Sequence, residues 1–173
     1  DVPLQHFSPE QVFVQVFGQI TFHQSANRCA QGCWAFTAIP TITIYTNVAN
    51  GRYTFQNAAH ELGHAFAQRA GRQPYNDLNA AQITYVEPET GDIIPVAGGG
   101  WPNQGYQRTA AGYAGPFPGW QQSTVRTANE DFADMFLGWS YNHFAPDAAG
   151  AARYQWMAAN MPRWIALAVV GTP

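Results

Sequence analysis

The order of local signals along the 173 residues predicts an α+β domain, because strand-like segments fall early and helix-like segments late. A doubly wound sheet would alternate the two. Gln11–Gly18 (QVFVQVFG) sets Val12, Val14 and Val16 against Phe13, Gln15 and Phe17, the two-residue period of a strand. Thr41–Thr46 (TITIYT) is almost wholly β-branched, follows Pro40, and reads as a second strand, with Asn50-Gly51 as a turn after it.

The helical elements follow in order. Thr54–Ala70 reads as a helix, with Thr54 or Asn57 as cap, Ala58, Leu62, Ala65 and Phe66 as its apolar stripe, and Gly71 as its stop. Ile83–Val96 reads as a hairpin turning at Pro88–Gly91. Residues 97–119, rich in glycine and proline, form a long loop, and a loop of that length in a compact domain is usually functional. A second long helix is expected to start at Ser123 or Thr124 and run to about His143, burying Phe132, Met135, Phe136 and Trp139. A last helix covers 148–170, with Pro162 kinking or dividing it. The length suits one domain. Residues 1–173 are therefore read as a single unit with a strand-rich part (1–53), a central helix (54–71), the long loop (97–119) and a helical part (123–170).

Composition narrows the chemistry. There is no lysine, so phosphate-loop and Schiff-base mechanisms lack their central residue. Eight scattered arginines and a net charge of −3 give no basic face for nucleic acid. Charged residues are 11% of the chain against about 25% usually. At 46% apolar and 14% aromatic, the chain still has enough to bury a core. The longest apolar run, Trp164–Val170, is too short to span a bilayer, so no membrane span is expected. Polarity comes mainly from 10 Asn and 15 Gln. Together with Cys29 and Cys33 this points to an exported protein. Cys29-x3-Cys33 fits a local disulfide best; two buried thiols, or a second metal site using His23, are the alternatives. A monomer is expected.

The sharpest signal is His60-Glu61-Leu62-Gly63-His64. On a helix, residues four apart lie on one face, so His60 and His64 can share one metal ion. Glu61 is placed to take a proton from metal-activated water. At this chain's composition the pattern arises by chance about 0.004 times. A catalytic zinc needs a third protein ligand. Asn129-Glu130-Asp131-Phe132-Ala133-Asp134 offers Glu130 for that place, and Asp134, one turn on, for orienting a histidine ring.

HELGH followed by NEDFAD resembles the gluzincin, or thermolysin-like, metallopeptidases in a compact form. The resemblance covers the two motif helices. It implies a zincin-like fold, a small twisted sheet packed on an active-site helix with a helical C-terminal half. It implies one catalytic Zn2+ on His60, His64 and Glu130, Glu61 as general base, Asp134 as partner of His60, and an endopeptidase acting on peptide or protein substrates. Asn129 matches the family's asparagine, with its role open. The metzincin pattern fails, because Ala67 and Ala70 stand where a glycine and a third histidine are required.

The group that would stabilise the oxyanion is less defined. Tyr113 and His143 are the two candidates, with Tyr106 also in the long loop. His143 points about 140° away from Glu130 on a helical wheel. Tyr141 shares Glu130's face but lies about 16 Å along the axis. Arg126, one turn before Glu130, either contacts a substrate carbonyl or forms an i,i+4 ion pair. The strand at Thr41–Thr46 is the expected edge for pairing with an extended substrate. Trp101 and Trp120 are further loop candidates for ligand contact. Two other classes stay open. One is a binding or scaffolding domain with a structural zinc; the other is an intracellular regulator cleaving one partner.

Overall fold

The computed structural model describes residues 9–26, 35–45, 55–81, 83–97 and 127–170. Among them the chain is α+β, with five helices and two small sheets. The first helix, α1 (Pro9–Phe17), corrects the expected strand at Gln11–Gly18. The strand reading placed Gln11 and Gln15 among the phenylalanines, whereas their spacing of four marks one side of a helix. Read four apart, Val12 with Val16 and Phe13 with Phe17 make a helical stripe. Val16 is buried, and the Phe13 and Phe17 rings stack at 4.6 Å.

Three strands follow: β1 (Thr21–Ser25), β2 (Ala35–Ala38) and β3 (Thr41–Tyr45). Their spatial order is β1-β3-β2, with β1 parallel and β2 antiparallel to β3. The strand expected at 41–46 is thus present, with Ile42 and Ile44 buried in the alternation its sequence requires. It is the central strand, however, and not the edge that was expected to receive a substrate. Two-sided pairing follows from its β-branched character, and the edges fall to β1 and β2.

Helix α2 (Phe55–Arg69) runs beneath β2 and packs most extensively on α4 (Ala128–Ser140). Gly63 permits that approach: a Cβ there would stand 2.9 Å from Phe136 Cβ and 3.0 Å from Ala133 Cα. Asn57 is a buried residue inside α2 and not its cap. The helix ends as a Schellman turn, in which Arg72 N–H donates to Ala67 O at 2.7 Å and Gly71 N–H to Gln68 O at 3.1 Å. Gly71, at φ 64°, supplies the left-handed residue this turn needs. The turn leads directly into α3 (Gln73–Ala80), a short helix with Pro74 in its first turn, which the sequence reading did not anticipate.

The hairpin expected at 83–96 is β4 (Ile83–Val86) and β5 (Ile93–Ala97), packed on α5. Helix α4 begins later than expected. Thr127 is extended, and its hydroxyl accepts from Glu130 N–H at 3.4 Å, a cap that sets the start at Ala128. Helix α5 (Ala148–Val170) is one element with Pro162 inside it. Phe66, Phe132, Met135, Leu137, Met157 and Trp164 form the centre of one core shared by α2, α4 and α5. Arg153, fully buried on α5, donates to Asp131 Oδ1 at 3.0 Å and to Val96 O at 3.1 Å, tying α5 to the first turn of α4 and to β5. Among the described residues, no helix is long and apolar enough to cross a membrane.

Candidate metal centre

His60 and His64 lie one turn apart on α2, facing the first turn of α4. That turn carries Glu130. The candidate donor atoms of His60, His64 and Glu130 all lie within 4.8 Å of one another, so this group could hold a metal ion. Two of the separations are near those expected around one ion. Two donors each about 2.0–2.1 Å from a tetrahedral ion lie about 3.3–3.4 Å apart. Here His60 Nε2 is 3.4 Å from Glu130 Oε2, and His64 Nε2 is 3.5 Å from Glu130 Oε1. Both rings therefore turn the same nitrogen toward one carboxylate.

The other ring nitrogens are also engaged. His60 Nδ1 lies 2.8 Å from Asp134 Oδ1, as the sequence pattern implied. His64 Nδ1 lies 2.9 Å from the Tyr75 hydroxyl, on α3. No sequence signal pointed to Tyr75, because the turn that brings it back to His64 was not read. The rings of His60 and His64 meet edge to face at 4.9 Å, which sets their planes at a wide angle to each other.

Electrostatics separates the two histidines. Burial works against a charged His60, but the charge and hydrogen bond of Asp134, then Glu130 and Glu61, outweigh it and push its pKa up to about 10. His64 is pulled down to about 4 by burial and then by the charge of His60, with Glu130 opposing. The two rings are thus pushed in opposite directions, His60 toward its protonated form and His64 toward its neutral one.

Glu61 is buried beside this group. Thr37, the buried inward residue of β2, donates its hydroxyl to Glu61 Oε2 at 2.6 Å and lies 3.2 Å from Glu61 O. Burial raises the Glu61 pKa; the charge of His60 and the Thr37 hydrogen bond oppose it, and the charge of Glu130 adds to the rise. Oε2 is the oxygen that Thr37 engages. Thr37, like Tyr75, carried no signal in the sequence. Gln68, two turns further along α2, donates to Thr37 O at 3.2 Å and accepts from Ile39 N–H at 3.4 Å, so α2 grips β2 at two points.

The remaining candidates are not gathered here. Asn129 is exposed on the first turn of α4. His143 follows the opposite end of α4, with Glu130 and Ser140 separated by about 15 Å of helix. Tyr141 caps that same far end. His23 is exposed on β1. Tyr106, Tyr113, Arg126, Cys29, Cys33, Trp101 and Trp120 lie outside the described residues. Comparison of the chain with protein-family models, with curated proteins and with solved structures finds no match.

Proposed function

We propose that this chain is a zinc-dependent endopeptidase of zincin-like, gluzincin type. The observation that carries the reading is the convergence of His60 and His64 Nε2 on the Glu130 carboxylate, with Glu61 buried alongside. Three protein ligands of this composition suit zinc and leave one coordination position open. Zinc held by His60, His64 and Glu130 would supply Lewis acidity, acidifying water and polarising a peptide carbonyl.

The chain's own groups would do the rest. Glu61 accepts a proton at Oε1 and returns it to the leaving nitrogen. Its raised pKa makes it a better acceptor than an exposed carboxylate, and Thr37 keeps it from rotating away. Asp134 holds the His60 ring, so that Nε2 stays directed at Glu130. An extended peptide substrate is assigned to the edge strand β2, whose Thr37 already contacts the base. Low charge and the Cys29/Cys33 pair support a secreted location.

The test is metal analysis of the purified chain combined with cleavage of a denatured protein substrate with and without a chelator. One zinc per chain and chelator-sensitive cleavage are expected. Stoichiometric zinc with no cleavage of any peptide pool would transfer the chain to the alternative class, a binding or scaffolding domain with a structural zinc.

A further inference from the structure

We propose that Tyr75 is the positioning residue of the second histidine, accepting a hydrogen bond from His64 Nδ1–H and so fixing the tautomer that leaves Nε2 free for a metal. The inference rests on the metal site described above and goes beyond the motif residues. Tyr75 Oη lies 2.9 Å from His64 Nδ1 and 3.4 Å from the backbone oxygen of His64. A phenol has one proton to give. The carbonyl can only accept, and a proton given to it leaves the phenol oxygen to accept from the ring, the arrangement we assign. His64 Nε2, 3.5 Å from Glu130 Oε1, then carries a lone pair toward the site. The opposite tautomer would put a proton on Nε2 and close that position to an ion.

The surroundings make this bond hard to replace. Tyr75 is buried, and a buried phenol without a partner is costly. Its ring packs edge to face on Phe132 at 5.8 Å, two residues after Glu130 on α4. The Schellman turn at Gly71 and Arg72 sends α3 back along α2, so that residue 75 meets residue 64. One side chain thus touches both elements that carry the donors: α2 through its hydroxyl and α4 through its ring. The two histidines are held by unlike partners, His60 by a carboxylate and His64 by a neutral hydroxyl.

The test uses the full chain and zinc alone. Ring-nitrogen NMR of the metal-free protein at pH 7.5 should show His64 as the Nδ1–H tautomer. Tyr75→Phe, which keeps the ring on Phe132, should lose that preference and weaken zinc binding about 10- to 100-fold in a chelator competition. An Nε2–H tautomer at His64 in the unaltered chain overturns the proposal, and it does so even if Tyr75→Phe fails to fold. Zinc affinity and tautomer unchanged in a folded Tyr75→Phe also overturn it. Failure of the metal reading looks different: His60→Ala and His64→Ala would leave zinc binding untouched, while the tautomer measurement, made without metal, still decides Tyr75.

Discussion

Zinc binding should be coupled to the release of one proton from His60, well above the pH at which an ordinary histidine has lost its own. The metal-free His60 ring lies between Asp134 and Glu130, at 2.8 Å and 3.4 Å, and is held protonated up to about pH 10. Its Nε2 cannot bind an ion while it carries that proton. His64, held neutral down to about pH 4, contributes none near neutrality. Zinc affinity should therefore rise about tenfold per pH unit between about pH 7 and 9. A free imidazole, with its pKa near 6.5, would give a plateau there. Calorimetry of zinc binding at pH 7.5 in buffers of different ionisation enthalpy should count about one proton per ion. Asp134→Asn should reduce the count. A zinc affinity that is flat above pH 7, with no proton released, would refute the electrostatic account of His60. The same shift sets the sign for stability without metal. The folded state holds a proton that the unfolded state has lost. His60's contribution is thus complete below pH 6.5 and disappears as pH rises through about 10.

Two further substitutions probe the supports of the site. Gly63→Ala should force α2 from α4, since backbone at Ala133 and the root of Phe136 block a Cβ. Denaturant unfolding should show a loss of about 1–3 kcal/mol, with weaker zinc binding because His60 and His64 move from Glu130. Thr37→Val removes the donor to Glu61 Oε2 together with the hydroxyl's longer contact to Glu61 O. Losing that bond raises the Glu61 pKa further but frees the carboxylate to rotate, so kcat should fall with zinc affinity unchanged, and Thr37→Ser should restore it.

The residues that sequence reading located are those whose relation is local. His60 with His64, and Glu130 with Asp134, are each one helical turn apart, so spacing alone puts each pair on one face. The pairing of the two helices across the core followed from chemistry, since two histidines need a third ligand. Tyr75 and Thr37 reach their partners from 11 and 24 residues away through single hydroxyls, which leave no periodicity. Residues 11–18 misled because valine and phenylalanine satisfy either period, and the helical spacing of Gln11 and Gln15 was outweighed by the Val/Phe alternation. The start of α4 was legible in principle: Thr127-x-x-Glu130 has the form of a capping box, but here the Glu130 carboxylate faces the histidines. Strand β1 stayed hidden because TFHQS is exposed nearly throughout, with no buried face to set an alternation.

The most direct measurement is zinc content and peptide cleavage side by side in the unaltered chain and in Glu61→Gln. The substitution keeps the size of the side chain and its contact with Thr37, and removes only the ability to take a proton. Full zinc occupancy in both, with cleavage lost in Glu61→Gln, is the predicted result. Cleavage retained by zinc-loaded Glu61→Gln would contradict the assignment of Glu61 as the base and, with it, the mechanism proposed for this site.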